Sequence, residues 1–303
     1  MPTSVLDRAS HLVALQMLLG TYPSTRALVD GTLRSDLVEI AFANVAHPLL
    51  AFRRAVQDLE FDLAELPIVP FLMARARGRP LVLLPAVIIG RFQHPYLVYN
   101  AERGPLSPRD LSGKRIGLRA YSQTSAMWIR GVLQADFGLD PAAMEWVTLE
   151  PPYVDAYADP PNARRASGDK TLLRMLLDGD IDAAIVPDGG RADPRIRTLF
   201  REPMAESAAW HDRNEAIQIN HMVVAHESLV ARHPDAVREV FALLERSRRV
   251  AAEQGGKKEP PFGLEANRRN LEVAIDYCWR QRLIERPLSV DELFCDVTRA
   301  LGA

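Results

Sequence analysis

Residues 119–131 read RAYSQTSAMWIRG, a polar run followed at once by an apolar one. Ala126, Ile129, Leu133 and Phe137 recur at helical spacing and form one stripe. KRIGL (114–118), just upstream, reads as a strand, and Gly138 supplies the helix stop. The same order occurs earlier in the chain. LVALQMLL (12–19) reads as a buried strand, and GTYPSTRALVDG (20–31) turns into a short helix with Ser24 as its candidate cap. A helix start presents free backbone N–H groups and the positive end of the helix dipole. With Ser and Thr hydroxyls added, it suits an anion such as a carboxylate. Capping alone accounts for either stretch taken singly. The shared strand–hydroxyl–helix context brings an anionic ligand into view.

Outward from these two stretches, strand-like and helix-like segments alternate, which predicts an α/β protein. Residues 37–45, 61–66, 80–89, 144–149 and 217–225 read as strands. Residues 49–60 are amphipathic, with Phe52, Val56 and Leu59 on one side. PIVPFLMARARG (67–78) is a helix closed by Gly78, and Asp140-Pro141 begins a new turn. The Pro-rich residues 151–168 read as a surface loop. DKTLLRMLLDGDIDAAIVPD (169–188) reads as helix, turn and strand. The end is helical: residues 233–256 stop at Gly255-Gly256, residues 263–284 form a second long helix, and Ser289 with Glu292 forms a capping box. The run near 217–225 could return the chain to the first unit. The expected organisation is lobe I from 1–98 plus 220–303, with lobe II (99–219) inserted. Connections near Val98 and Asn220 would make a hinge, with a ligand cleft between the lobes.

Composition narrows the class. The chain has 303 residues, 48% of them hydrophobic and 25% charged, which is ordinary for a globular protein. The net charge of −2 and the lack of a basic block argue against a nucleic-acid partner. The apolar run at 12–19 is interrupted by Gln16, no small-residue cleavage site follows, and Asp7 stands beside Arg8. It reads as a strand and not a signal peptide, so the expected compartment is the cytoplasm. LVLLPAVII (81–89) is too short to span a bilayer. Cys278 and Cys295 lack CxxC spacing and are expected to be free thiols. A metal is not expected: after His226-Glu227 the next histidine is His233, which misses the one-turn spacing of a zinc motif. The DGDID run (178–182) is better explained as a turn than as a Ca2+ loop. With no Walker A motif and no GxGxxG, no cofactor is expected.

MWIRGVLQADFGLD (127–140), TLLRMLLDGDIDAAIV (171–186), HMVVAHESLVARHP (221–234), FGLEANRRNLE (262–272) and RPLSVDELF (286–294) together resemble the 4,5-dihydroxyphthalate decarboxylase family. TRALVDG and FDLAEL fit the same pattern, collinearly over nearly the whole chain, and WIRG and GLEANRRNLE are the most specific parts. The resemblance implies a type 2 periplasmic-binding-protein-like fold carrying an enzyme. Tyr121 and Thr124 match the family's pattern after the central strand, while Ala120 and Ser122 depart from it. Arg91 and His94 match part of an Arg/His segment, and His221 matches a third.

Removing CO2 from a hydroxylated aromatic acid needs a proton for the ring carbon and a device that pushes electrons into the ring. His94 and His221 are the acid–base candidates, because imidazole exchanges protons near neutral pH. Packing is the competing reading for a lone histidine. Glu65 could accept from a ring hydroxyl, or form an ordinary ion pair. Arg91 is a candidate clamp on a carboxylate, its planar fork suiting bidentate pairing. Ser24, Arg26, Ser122 and Thr124 stand at the two helix starts. Tyr121 and Trp128 could stack on an aromatic ring, although a helical Trp is more often core. Arg130 could bind an anion or lie on a solvated face. The expectation is a decarboxylase or related lyase acting on a small aromatic carboxylate such as 4,5-dihydroxyphthalate. Alternatives are a solute-binding protein for an anionic small molecule and a chorismate-dehydratase-like lyase. A homo-oligomer stays open.

Overall fold

The computed structural model describes residues 12–187, 189–190, 192–255 and 259–302. Asp7, Arg8 and Gly256 lie outside them. In chain order the elements are β1 (Val13–Leu18), α1 (Arg26–Val29), β2 (Val38–Phe42), β3 (Leu63–Pro67), α2 (Ile68–Ala76), β4 (Leu81–Gly90) and β5 (Leu97–Asn100). Then come β6 (Arg115–Leu118), α3 (Thr124–Phe137), β7 (Glu145–Thr148), β8 (Ala163–Arg165), α4 (Leu172–Asp178), β9 (Ala183–Ile185), β10 (Ile196–Thr198) and α5 (Pro203–Asn214). The chain ends with β11 (Ile219–His226), α6 (Glu227–Arg232), α7 (Pro234–Glu253), α8 (Leu264–Arg280) and α9 (Asp296–Arg299).

The chain divides into two units. The first comprises Met1–Gly90, Ile219–Glu272 and Leu288–Ala303, and the second comprises Arg91–Gln218 and Val273–Pro287. The second division, at Gln218, falls beside the expected Asn220, while the first, at Gly90, comes before the expected Val98. The sequence pattern places Val273–Pro287 with the first unit. The structure gives it to the second, because Tyr277 packs with Trp128 and Trp210, and Gln281 bonds Arg130.

The first unit is a sheet in the order β2-β1-β3-β11-β4. β1 runs parallel to β2 and β3, and β11 lies antiparallel between β3 and β4. β4 is almost continuously buried, yet it contains Pro85, which has no N–H to give a ladder. The residue is tolerated because β4 is an edge strand and its pairing with β11 slips register between Met222 and Val224, alongside Pro85. α7 begins with Pro234 in its first turn and turns Val237, Val240, Phe241 and Leu244 inward. These side chains meet Leu15, Met17, Leu63, Leu84 and Val223 in one core.

The second unit is a sheet in the order β10-β5-β9-β6-β7-β8. β6, β7, β8 and β9 pair in parallel, while β5 is antiparallel to β9 and β10. α3 is buried without a break from Thr124 to Leu133 and stops at Gly138, whose φ of 66° is the left-handed cap the sequence predicted. Gly131 on α3 has no room for a side chain: a Cβ there would lie 2.0 Å from the Tyr277 ring.

Two local expectations change. Residues 49–60 are not one α-helix: a 3-10 turn (Pro48–Ala51) leads to a π-helical turn (Arg54–Asp58) that ends at Leu59 with φ 52°. Phe52 and Val56 face inward as expected, but Leu59, at the left-handed end of the turn, is only half-buried, so the stripe holds in part and the hydrogen-bond register does not. The Pro-rich loop contains β8, which pairs only with β7 at the sheet edge. Its Ala-Arg-Arg sequence carries no strand pattern, because neither exposed arginine faces a core. Among the described residues no helix is long and apolar enough to cross a membrane. Cys278 and Cys295 are free thiols.

Candidate functional site

Glu65 is the third residue of β3 and is fully buried. A carboxylate removed from water needs its oxygens satisfied by the protein. Three donors from three places do this. The Gly20 N–H, just beyond β1, donates to Oε2 at 2.9 Å. The Tyr22 hydroxyl donates to Oε1 at 2.8 Å. His221 of β11 places Nδ1 2.5 Å from the same Oε1. The sheet register explains the last contact. Val223 lies directly opposite Glu65, so His221, two residues before it, is the diagonal neighbour on the same face.

The turn after β1 is held by Thr25, whose Oγ1 donates to the Gly20 carbonyl at 2.6 Å and accepts the Tyr22 N–H at 2.9 Å. Gly20 is required there: a Cβ would lie 2.6 Å from the Tyr22 ring. The Phe52 ring meets the His221 imidazole edge to face at 5.2 Å. His221 keeps 17% of its side chain exposed. Its Nε2 has no protein partner among the described residues. These groups gather where the parallel strands β1 and β3 end, the side of an open α/β sheet at which ligands collect.

Glu65 and His221, both expected from sequence, are thus brought together. Their roles shift. The Glu65 oxygens are engaged by Gly20, Tyr22 and His221 in a fully buried position, so the carboxylate holds the imidazole where contact with a ring hydroxyl was expected. Tyr22 and Gly20 were missed; a tyrosine in GTYPST matches no motif. Ser24 is buried but is not the cap of α1. That position belongs to Thr25, whose hydroxyl is turned back into the preceding turn. Arg26 is exposed on the single turn of α1.

The second unit holds the other candidates. His94 opens a 3-10 turn and is fully buried, with Phe200 at 4.9 Å. Its Nδ1 lies 3.1 Å from Ser207 Oγ, whose own proton goes to the Pro203 carbonyl at 2.6 Å. Ser207 therefore accepts from Nδ1–H, and the bare Nε2 is buried without a partner among the described residues. Burial, helped by the Arg213 charge, pushes the imidazole down to about 4. A closed, neutral imidazole does not exchange protons at neutral pH, so the acid–base role expected of His94 is withdrawn. Trp128 is likewise a packing residue: it is fully buried between Trp210 and Tyr277, with no face for a ligand.

Arg130 is not on a solvated face. It is fully buried, with its guanidinium 3.9 Å from the centre of the Tyr121 ring and 5.5 Å from that of Trp146. Nε donates to Gln281 Oε1 and Nη2 to the Tyr121 carbonyl, both at 2.8 Å. Tyr121 is therefore covered by Arg130 on one side and meets Trp146 edge-on at 6.2 Å. Thr124 opens α3 and Ser122 stands just before it, as expected, but the capping position is Gln123. Its side chain accepts the Arg119 N–H, while the Ser122 hydroxyl is buried without a partner among the described residues. Arg91 is exposed and stacks on Tyr96 at 4.3 Å, with no acidic partner among the described residues. The DGDID acids are engaged by basic side chains, Asp178 and Asp180 by Lys170 and Asp182 by Arg115. Among the described residues no three His, Cys, Asp or Glu side chains gather as a metal site.

Two α/β units with these strand orders make a type 2 periplasmic-binding-protein-like protein, the fold expected from sequence. The periplasmic aliphatic sulphonate binding protein SsuA from Escherichia coli superposes with a TM-score of 0.60 at 16% identity, covering 94% of this chain and 92% of that one. Residues 60–158 match the family model described as NMT1/THI5 like. The chain is 28% identical over 255 residues to 4,5-dihydroxyphthalate decarboxylase of Comamonas testosteroni, covering 78% of this chain and 75% of that protein. It is 30% identical over 210 residues to the enzyme of the same name from Pseudomonas putida, covering 65% of this chain and 81% of that one. The chain belongs to the 4,5-dihydroxyphthalate decarboxylase family.

Proposed function

We propose that this protein decarboxylates a hydroxylated aromatic carboxylate of the 4,5-dihydroxyphthalate kind, with His221 as the general acid. The observation that carries the reading is the Glu65–His221 pair: a buried carboxylate on Nδ1, and on the other side of the ring an Nε2 with no partner among the described residues. In the reaction, the hydroxyl para to the departing carboxylate pushes electron density toward the carbon that bears it. The proton on His221 Nε2 passes to that carbon. The carbon–carboxylate bond then breaks, CO2 leaves, and the bond's electron pair restores the aromatic ring. The product keeps the other carboxylate and both hydroxyls, and a proton from water restores the imidazolium. Glu65 stabilises the charged imidazole and sets its orientation. The route uses protein groups and the substrate's own hydroxyl, and activity that survives chelator treatment is expected of it.

CO2 release and the ultraviolet spectrum, followed on 4,5-dihydroxyphthalate and a panel of hydroxybenzoic acids, test the proposal. His221→Ala and Glu65→Gln are expected to lower turnover by about 10²- to 10⁴-fold, the usual worth of a positioned acid, while the circular dichroism stays that of the parent. Unchanged turnover in both variants sinks the assignment. The likeness in fold to a sulphonate-binding protein supports a second reading, a solute binder. Tight binding of a panel member without CO2 would favour it. We place the reaction in the cytoplasm; fractionation that finds the native chain exported would overturn that placement.

A further inference from the structure

We infer that Tyr22 is a positioning residue for the His221 acid, acting through Glu65 and made possible by Gly20. The inference rests on the reading above and deepens it. Glu65 Oε1 carries two donors, the Tyr22 hydroxyl at 2.8 Å and His221 Nδ1 at 2.5 Å, while Oε2 carries the Gly20 N–H at 2.9 Å. An ionised carboxylate only accepts hydrogen bonds. Nδ1 must therefore hold a proton in either charge state of the ring, which leaves Nε2 as the nitrogen that gains and loses one. This assignment depends on which way the Glu65 carboxylate plane points. With the Tyr22 donor removed, one hydrogen bond to a charged group disappears and, among the described residues, Gly20 and His221 are left to hold the plane.

Gly20 and Tyr22 form one device. The Tyr22 ring lies where a side chain on residue 20 would be, 2.6 Å from the Cβ position at Cε2, Cζ and Oη. A bare backbone at residue 20 lets the phenol reach Glu65, and Thr25 latches the turn from both ends. Tyr22 donates to Glu65 and is not the proton source for the ring. Its effect belongs on turnover and on the tautomer of His221, not on substrate affinity.

The test uses Tyr22→Phe, which keeps the ring against Gly20, and Gly20→Ala, which keeps the hydroxyl but displaces the ring. Long-range proton–nitrogen NMR of His221, without substrate, is expected to show Nδ1-protonated imidazole in the parent and a mixture of tautomers in both variants. Turnover should fall about 10- to 100-fold in each, the range for losing one hydrogen bond to a charged group, with KM little changed. The double variant should be no worse than the weaker single one, because both changes remove the same contact. An unchanged His221 spectrum in Tyr22→Phe overturns the inference, and so does a rise in KM alone. The spectrum needs no turnover. A parent protein that releases no CO2 therefore rejects the proposed reaction, while the tautomer still decides the role of Tyr22.

Discussion

His94 offers a quantitative check on the energetics. Its imidazole is held down to about 4 from an ordinary value of 6.5, first by burial and then by the positive charge of Arg213. In the unfolded chain the ring takes a proton as the pH falls through 6.5; in the folded chain it does not until about 4. Between those values the unfolded state binds more protons, so stability rises with pH there and is lost as pH falls. Each pH unit in the window costs about 1.4 kcal/mol, so this one residue removes about 2 kcal/mol between pH 7 and pH 5 and about 3 kcal/mol once the folded value is passed. The perturbation is His94→Asn, which does not titrate and whose amide can still donate to Ser207. Urea unfolding of both proteins at pH 7 and pH 5 supplies the assay. The variant is expected to start less stable but to lose about 2 kcal/mol less than the parent over that interval. Parallel losses in the two proteins would refute the reasoning, because the ring would then titrate alike in both states.

Two further substitutions test the packing of the second unit. Gly131→Ala puts a Cβ 2.0 Å from the Tyr277 ring, which is itself packed against Trp128 and Trp210 and cannot step aside. Urea denaturation should show a loss of about 1–3 kcal/mol, the usual cost of overpacking, and no loss would mean that the ring moves freely. Trp128→Ala should cost about 3–5 kcal/mol through the cavity it leaves while KM stays that of the parent; a raised KM at unchanged stability would return Trp128 to the ligand.

The parts of the fold that were legible in the sequence are those set by local pattern. The strand before Gly20, the α3 stripe ending at Gly138 and the capping box at Ser289 follow from hydrophobic period and terminus chemistry, and each is present. What was not legible depends on partners distant in the chain. Ser24 and Thr25 are both good capping residues, and only the path of the turn after β1 decides that Thr25 takes the position. The periodicity of residues 263–284 reveals a helix but not that its second half packs on Trp128 and Arg130. Arg130 looks like a surface cation until the burial of α3 turns it onto two aromatic rings. Glu65 and Tyr22 are forty-three residues apart, and no spacing rule links a strand residue to a turn residue across a parallel pair.

The two histidines show why residue type alone did not find the site. In sequence, His94 and His221 looked equivalent: His94 follows the strand-like run 80–89, His221 lies in the strand-like run 217–225, and imidazole is the usual acid–base group. The structure separates them by what each ring nitrogen meets. At His94, Ser207 takes one nitrogen and the other is closed in, with no partner among the described residues to receive a proton from. At His221, a carboxylate holds one nitrogen and the other has no protein partner among the described residues. A general acid needs both features together, a fixed proton on one side of the ring and an open exchange site on the other. That requirement favours His221 as the proposed acid, and it makes the environment of Glu65, rather than the number of histidines, the feature to compare when other chains of this fold are read.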